Sequence, residues 1–181
     1  MKSPEVRVLA GRWKGRRLGA GLAARPTSSR ARKALFDILG EQVVGATVLD
    51  LFAGTGAVGI EAVSRGARSA VLVEPDAAAL LEAVARIGAA PSELRVLAEG
   101  ALSAVLQLSR GAERFNLVFA DPPYAEAVDR ELMASIPPLL RPGGRLVLQR
   151  DAKHEDLEAP GLRLEQRRSY GRNVFYFFGM R

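Results

Sequence analysis

The chain contains no cysteine. Disulfides, thiolate metal ligands and a cysteine nucleophile are therefore excluded. Histidine is almost as scarce: His154 stands alone, in a charged stretch, and reads as solvent-facing rather than as a general base. No apolar run reaches the ~18 residues of a membrane span. The opening Met1-Lys2-Ser3-Pro4-Glu5 lacks the apolar core of a secretion signal. These absences lead us to expect a cytoplasmic monomer with no membrane or metal partner. Lysine is also rare, since 22 of the 26 basic residues are arginine.

The basic residues are unevenly placed. Up to Lys33 there are ten Lys or Arg against the single acid Glu5, a charge of +9. The rest has sixteen basic and nineteen acidic residues, a charge of −3. A basic arm is thus attached to a mildly acidic body. Arginine grips phosphate through two N–H groups and stacks on bases, so the arm suits nucleic acid; the alternative is a solvated, Arg-rich surface. Candidate contacts are Arg7, Arg12, Lys14, Arg16, Arg17, Arg25, Thr27, Arg30 and Arg32. Trp13 either stacks on a base or packs the arm against the body. Arg167 and Arg168 are candidates to extend the basic face.

Apolar and basic residues alternate over Val6–Leu18, around Gly11 and Gly15, which predicts a two-stranded ribbon. Thr27 or Ser28 can cap a helix running to Leu39, with Arg30 and Arg32 on its exposed first turn. From Ala46 strands alternate with helices: strands at Thr47–Leu51, Ser69–Glu74, Leu94–Ala98, Phe115–Ala120 and Gly144–Gln149, helices at Val58–Arg65, Asp76–Arg86, Ala101–Ser109 and Ala125–Ile136. This predicts a parallel sheet covered on both faces. The chain closes with Leu162–Ser169, a turn at Tyr170-Gly171-Arg172, and Asn173–Gly179, an antiparallel hairpin whose last strand is apolar on both faces. We expect an α/β, Rossmann-like fold in one domain over residues 1–181, with a basic extension (1–40) and a core (46–181).

Each of the first four strands ends at or near an acid: Asp50, Glu74, Glu99 and Asp121. Asp76 reads as a helix cap. After Asp50 come Leu51, Phe52, Ala53, Gly54, Thr55, Gly56 and, three residues on, Gly59. The small residues permit a tight strand-to-helix turn and close approach to a ligand. Glu74 lies where a ribose-binding acid would stand. The loop alone fits either a nicotinamide cofactor or S-adenosylmethionine. Asp50 is expected to meet the cationic amino-acid end of S-adenosylmethionine, and no Lys or Arg occurs from 46 to 64 to hold a pyrophosphate.

The sharpest motif is Asp121-Pro122-Pro123-Tyr124. The exocyclic amine of a base is a poor nucleophile, because its lone pair is delocalised into the ring. Asp121 and the Pro122 carbonyl can accept its two hydrogens, localising the lone pair, while the prolines stiffen the turn and Tyr124 stacks on the base.

The glycine loop with Asp121-Pro122-Pro123-Tyr124 resembles the class I, S-adenosylmethionine-dependent amino-methyltransferases. The arm from Arg7 to Leu18, Arg25-Pro26-Thr27-Ser28, Ala34–Leu39, Gly59–Ala67 and Tyr170-Gly171 is similar to that of the bacterial small-subunit ribosomal RNA guanine-N2 methyltransferases. That resemblance implies a seven-stranded, mostly parallel sheet and methylation of a guanine of 16S ribosomal RNA, naked or in a 30S particle. It implies a target site at Asp121 and Tyr124, and a cofactor site at Gly54, Gly56 and Glu74. The adenine contact falls at Glu99 or Gly100, next to Ala101. This chain departs from the family pattern at Ser29 and Lys33, where acids are usual, at Gln149, and in lacking an Asn within 80–88. The alternative activity is methylation of adenine N6 in DNA or RNA, because the same motif serves either amine.

Overall fold

The computed structural model describes residues 5–20, 28–123, 130–151 and 159–181. Arg25, Thr27, Tyr124 and His154 lie outside the described residues. The arm begins with strands β1 (Glu5–Arg7) and β2 (Arg17–Ala20), paired antiparallel as the alternation predicts. Helix α1 (Ser29–Leu39) is capped by Ser28, whose hydroxyl accepts from the Ala31 N–H at 3.1 Å. Then come β3 (Thr47–Leu51), α2 (Ala57–Ser64), β4 (Ser69–Val73), α3 (Ala78–Ile87), β5 (Leu94–Leu97), α4 (Ala101–Ser109), β6 (Phe115–Ala120), α5 (Arg130–Ser135), β7 (Leu140–Asp151), β8 (Leu162–Tyr170) and β9 (Asn173–Met180).

Seven strands form one sheet in the order β5-β4-β3-β6-β7-β9-β8. The five from β3 to β7 are parallel, and β9 lies antiparallel between β7 and β8. This central position explains why Val174–Phe178 is buried on both faces. Two element starts, those of β7 and α3, differ from expectation by two residues or more. Strand β7 starts four residues early, because the Pro142-Gly143-Gly144 stretch is absorbed as a bulge between the pairs Phe115–Leu140 and Leu117–Arg145. Helix α3 starts at Ala78 with Ala77 as an N-cap that makes no side-chain bond, so Asp76 is not the cap the sequence suggested.

The sheet has an apolar cluster on each face. One holds Val48, Leu72, Phe119, Val147, Phe175 and Phe177, and it is completed by the arm through Val6, Val8, Trp13, Leu18, Leu35 and Phe36. The other holds Leu49, Leu51, Val118 and Leu148 under α4 and α5. The arm is therefore part of the main core.

A buried carboxylate fixes its position. Glu61, on α2, is 0% exposed. Its oxygens accept from the Leu9 and Ala10 N–H groups at 2.7 and 2.9 Å and from Arg65 Nε at 2.7 Å. Arg32 faces it at 3.7 Å, is 1% exposed, and donates through Nη2 to the Arg7 carbonyl at 2.5 Å. The expectation that Arg32 sits on an exposed turn is thus corrected: it is a buried counter-ion, and burial lowers its pKa from the ordinary value. Trp13 is buried too, its backbone N–H donating to Ser64 Oγ at 3.0 Å. A Cβ on Gly11 would lie 1.7 Å from the Ser64 carbonyl oxygen, so only glycine permits this docking.

Glu61→Ala would leave buried Arg32 without its counter-ion and the Leu9 and Ala10 N–H groups without their acceptor. The expected loss is about 3–5 kcal/mol of stability, read by urea unfolding. A loss below about 1 kcal/mol would show that apolar packing alone holds the arm.

Candidate active site

The strand order reverses between β3 and β6, and an open parallel sheet binds ligands in the crevice beyond such a point. The register brings the acids together there. Leu51 is paired with Val73 and with Ala120, so Phe52, Glu74 and Asp121, one residue further along each strand, stand at one level. No cationic side chain lies within residues 46–64.

The loop is folded around these acids. Phe52 adopts a left-handed backbone, φ +63°, a costly conformation for a non-glycine residue. It turns the chain so that the Ala53 N–H donates to the Val73 carbonyl at 2.9 Å. Gly54 N–H donates to Glu74 Oε2 at 2.8 Å, and Gly59 N–H to Asp50 Oδ2 at 2.8 Å. A Cβ on Gly59 would meet Leu72 at 2.1 Å, so α2 packs directly on the sheet only because that side chain is missing. Above Gly54 the space is open, with nothing within 4 Å of where a Cβ would stand.

Asp50 is 1% exposed and braces the loop from behind through its bond from Gly59. Its pKa is pushed up to about 7, chiefly because burial penalises the charged form. The Gly59 hydrogen bond works in the opposite direction, and the nearby Asp121 and Glu74 carboxylates raise it further. Glu74 and Asp121 are half-buried. Pro122 is buried. Glu99, also half-buried, accepts from Ser103 Oγ at 2.5 Å, and Ala101 opens α4 behind Gly100.

This donor set suits a cationic ligand with hydroxyl groups. Three carboxylates raise one another's energy with no cation among the loop residues, and a bound positive charge relieves them. The buried Thr55 hydroxyl has no partner among the described residues. A ligand that hydrogen-bonds to it would remove a penalty of about 1–3 kcal/mol. S-adenosylmethionine, with its sulfonium, ammonium and ribose diol, fits these requirements. Among the described residues no cluster of His, Cys, Asp and Glu could hold a metal, and no helix is long and apolar enough to cross a membrane.

The candidate RNA contacts separate into groups. Arg7, Lys14, Arg17 and Arg30 are exposed. Arg12 pairs with Glu93 at 2.6 Å and lies over the Trp13 ring at 4.0 Å, while Arg16 donates to the Ile87 carbonyl at 2.6 Å. Sequence reasoning missed Glu61. Nothing in its local spacing distinguishes it from a surface acid on a helix, since the backbone amides that donate to it lie some fifty residues away.

A doubly wound sheet with this hairpin, carrying a glycine turn and an Asp-Pro-Pro turn on either side of the switch point, is the class I methyltransferase fold. The chain belongs to the family described as Conserved hypothetical protein 95, whose profile matches residues 6–179. It is 37% identical over 134 residues to the ribosomal RNA small subunit methyltransferase D of Escherichia coli strain K12, a match covering 71% of this chain and 65% of that relative's length. It is 33% identical over 183 residues to the YlbH protein of Bacillus subtilis, covering 92% of this chain and 94% of that one. The structure of a hypothetical protein from Thermus thermophilus, 39% identical, superposes with a TM-score of 0.81 over 95% of this chain and 98% of its own.

The Asp50 pKa carries a pH prediction. The native state holds an extra proton between about pH 4 and 7, so this group's contribution to stability falls as pH rises through that window. Asp50→Asn keeps an acceptor for Gly59, and we expect it to raise Tm at pH 8 while changing it little at pH 5. Calorimetry with S-adenosylmethionine should show affinity rising with pH through about 7 in the wild type and flat in the variant. Parallel curves would remove Asp50 from the linkage.

Proposed function

We propose that this protein transfers the methyl group of S-adenosylmethionine to the exocyclic N2 amine of a guanine in small-subunit ribosomal RNA. The observation that carries this reading is the placement of Asp121-Pro122 at the end of β6, one strand from the glycine turn and level with Glu74. The names of the relatives support the substrate class.

S-adenosylmethionine supplies an electrophilic methyl on a sulfonium. Glu74 both steadies the Gly54 turn and offers the carboxylate suited to a ribose diol. Asp121 and the Pro122 carbonyl accept the two hydrogens of the target amine, concentrating its lone pair and aiming it along the line of the carbon–sulfur bond. As the nitrogen–carbon bond forms, the electron pair of the breaking bond stays on sulfur. The proton then surplus on nitrogen passes to Asp121 or to water. The neighbouring carboxylates stabilise positive charge as it moves from sulfur to nitrogen, so the rate gain is mainly positional and electrostatic. A base inside a helix cannot present its amine this way, so the target is unpaired or swung out.

Radiolabelled S-adenosylmethionine, incubated with unmodified small-subunit particles and with their protein-free RNA, tests the proposal. We expect label in N2-methylguanosine, and Asp121→Ala to lower transfer at least ~100-fold while cofactor binding persists, in line with the loss of a positioned acceptor. Label in N6-methyladenosine would leave the chemistry and overturn the target. Undiminished turnover by Asp121→Ala would overturn the mechanism.

A further inference from the structure

The basic arm is the obvious place to look for an RNA surface, but the topology puts its tip at the wrong end. Helices that follow parallel strands run back along them and end at the amino edge of the sheet. Ser64 and Ile87 close α2 and α3 at that edge, and Glu93 stands just before β5. Those are the groups that the ribbon tip touches: Arg12 N–H donates to the Ser64 carbonyl at 2.9 Å, the Arg12 side chain pairs with Glu93, and Arg16 donates to Ile87. Lys14 is therefore a sheet-length away from Asp121.

The other arginine cluster lies at the catalytic edge. Ala120, Leu148, Tyr176 and Arg167 are paired in turn across β6, β7, β9 and β8. The next rung towards the carboxyl edge contains Gln149, Phe175 and Arg168, level with Asp121. The turn at Gly171 and Arg172 projects beyond it. Three interstrand gaps of about 4.8 Å place Arg168 roughly 14 Å from Asp121. Arg167, Arg168 and Arg172 are exposed, and among the described residues none pairs with a carboxylate. Lower on the same hairpin, by contrast, Glu165 pairs with Arg145 at 3.1 Å and Arg163 at 3.7 Å. Arg167 lies over the Tyr176 ring, 5.7 Å from its centroid, and the Gln166 amide oxygen, in the orientation that satisfies both groups, accepts from Arg168 Nε and Nη2 at 2.8 Å. The two guanidinium groups are thus held on a rigid sheet edge, with the cofactor loop on the far side of Asp121.

We propose that Arg168 and Arg172, supported by Arg167, bind phosphates of the RNA strand leading away from the target base, and that the ribbon tip serves to fasten the arm. This rests on the RNA-methyltransferase reading. A target base entering beside Asp121 must bring its flanking backbone across either the cofactor side or the hairpin side of the sheet. The cofactor side carries Glu74 and Glu99, which repel phosphate; the hairpin side carries Arg167, Arg168 and Arg172, which among the described residues pair with no carboxylate.

The test uses the full chain, small-subunit RNA and three proteins: wild type, the double variant Arg168→Ala/Arg172→Ala, and Lys14→Ala. RNA binding is followed by fluorescence anisotropy across a salt series, with KM and kcat from methyl transfer. Losing two phosphate contacts should reduce the slope of log K against log salt by about 1.4–1.8 and raise KM for RNA roughly tenfold. For the same variant, kcat, cofactor affinity and Tm should be unchanged, and Lys14→Ala should match the wild type throughout. A double variant that is folded and active with the wild-type slope and KM would overturn the proposal. A slope loss in Lys14→Ala would overturn the assignment of the RNA to the carboxyl edge. If the wild type itself transfers no methyl to RNA, the underlying reading fails first, and that is seen before any variant is measured.

Discussion

Glu61 ties the two parts of the chain together. Its carboxylate, sealed between α2 and the arm, accepts from two backbone amides of the ribbon and from Arg65, and it faces the buried Arg32 of α1. A carboxylate without water is costly unless every lone pair is engaged, so this one site dictates where the ribbon and α1 can lie. Because α2 also begins at the glycine turn, the element that seats the arm is the one that shapes the cofactor loop. Gly59, two residues before Glu61, donates to Asp50 from the same helix.

The site beyond the sheet gathers carboxylates. Asp50, Glu74 and Asp121 are brought together by strand register, and Asp50 is driven to a pKa near neutrality by burial and by its neighbours. A protein that stabilised itself alone would place a lysine or arginine there. The gathered carboxylates favour a bound cation and a transition state in which positive charge moves from sulfur to nitrogen. The strained Phe52 and the Thr55 hydroxyl, which has no partner among the described residues, fit the same account: the loop is shaped for a ligand as well as for itself.

The two edges of the sheet do different work. At the amino edge, arginines cap the carbonyl ends of α2 and α3 or pair with Glu93, and they hold the ribbon in place. At the carboxyl edge, arginines on β8 and its turn remain exposed beside a crevice of carboxylates. Net charge counted along the chain merges these populations, whereas the direction of the helices separates them.

The sequence by itself determined the order of strands and helices, the central apolar strand at Val174–Phe178, a helix cap at Thr27 or Ser28 and the two turn motifs. All of these depend on residues within a few positions of one another. Spacing also placed Asp50, Glu74 and Asp121 at strand ends. Only the tertiary structure decided which arginine is buried and which is exposed. Arg30 and Arg32 are two residues apart on one helix, yet Arg32 is withdrawn from solvent by Glu61, an acid 29 positions further along the chain. The roles of Asp50 as a support for the loop and of Trp13 as core likewise arise from contacts across the fold. Local pattern records periodicity and turn chemistry. Burial and charge pairing depend on which distant segments meet, and that is settled when the sheet and the arm pack together.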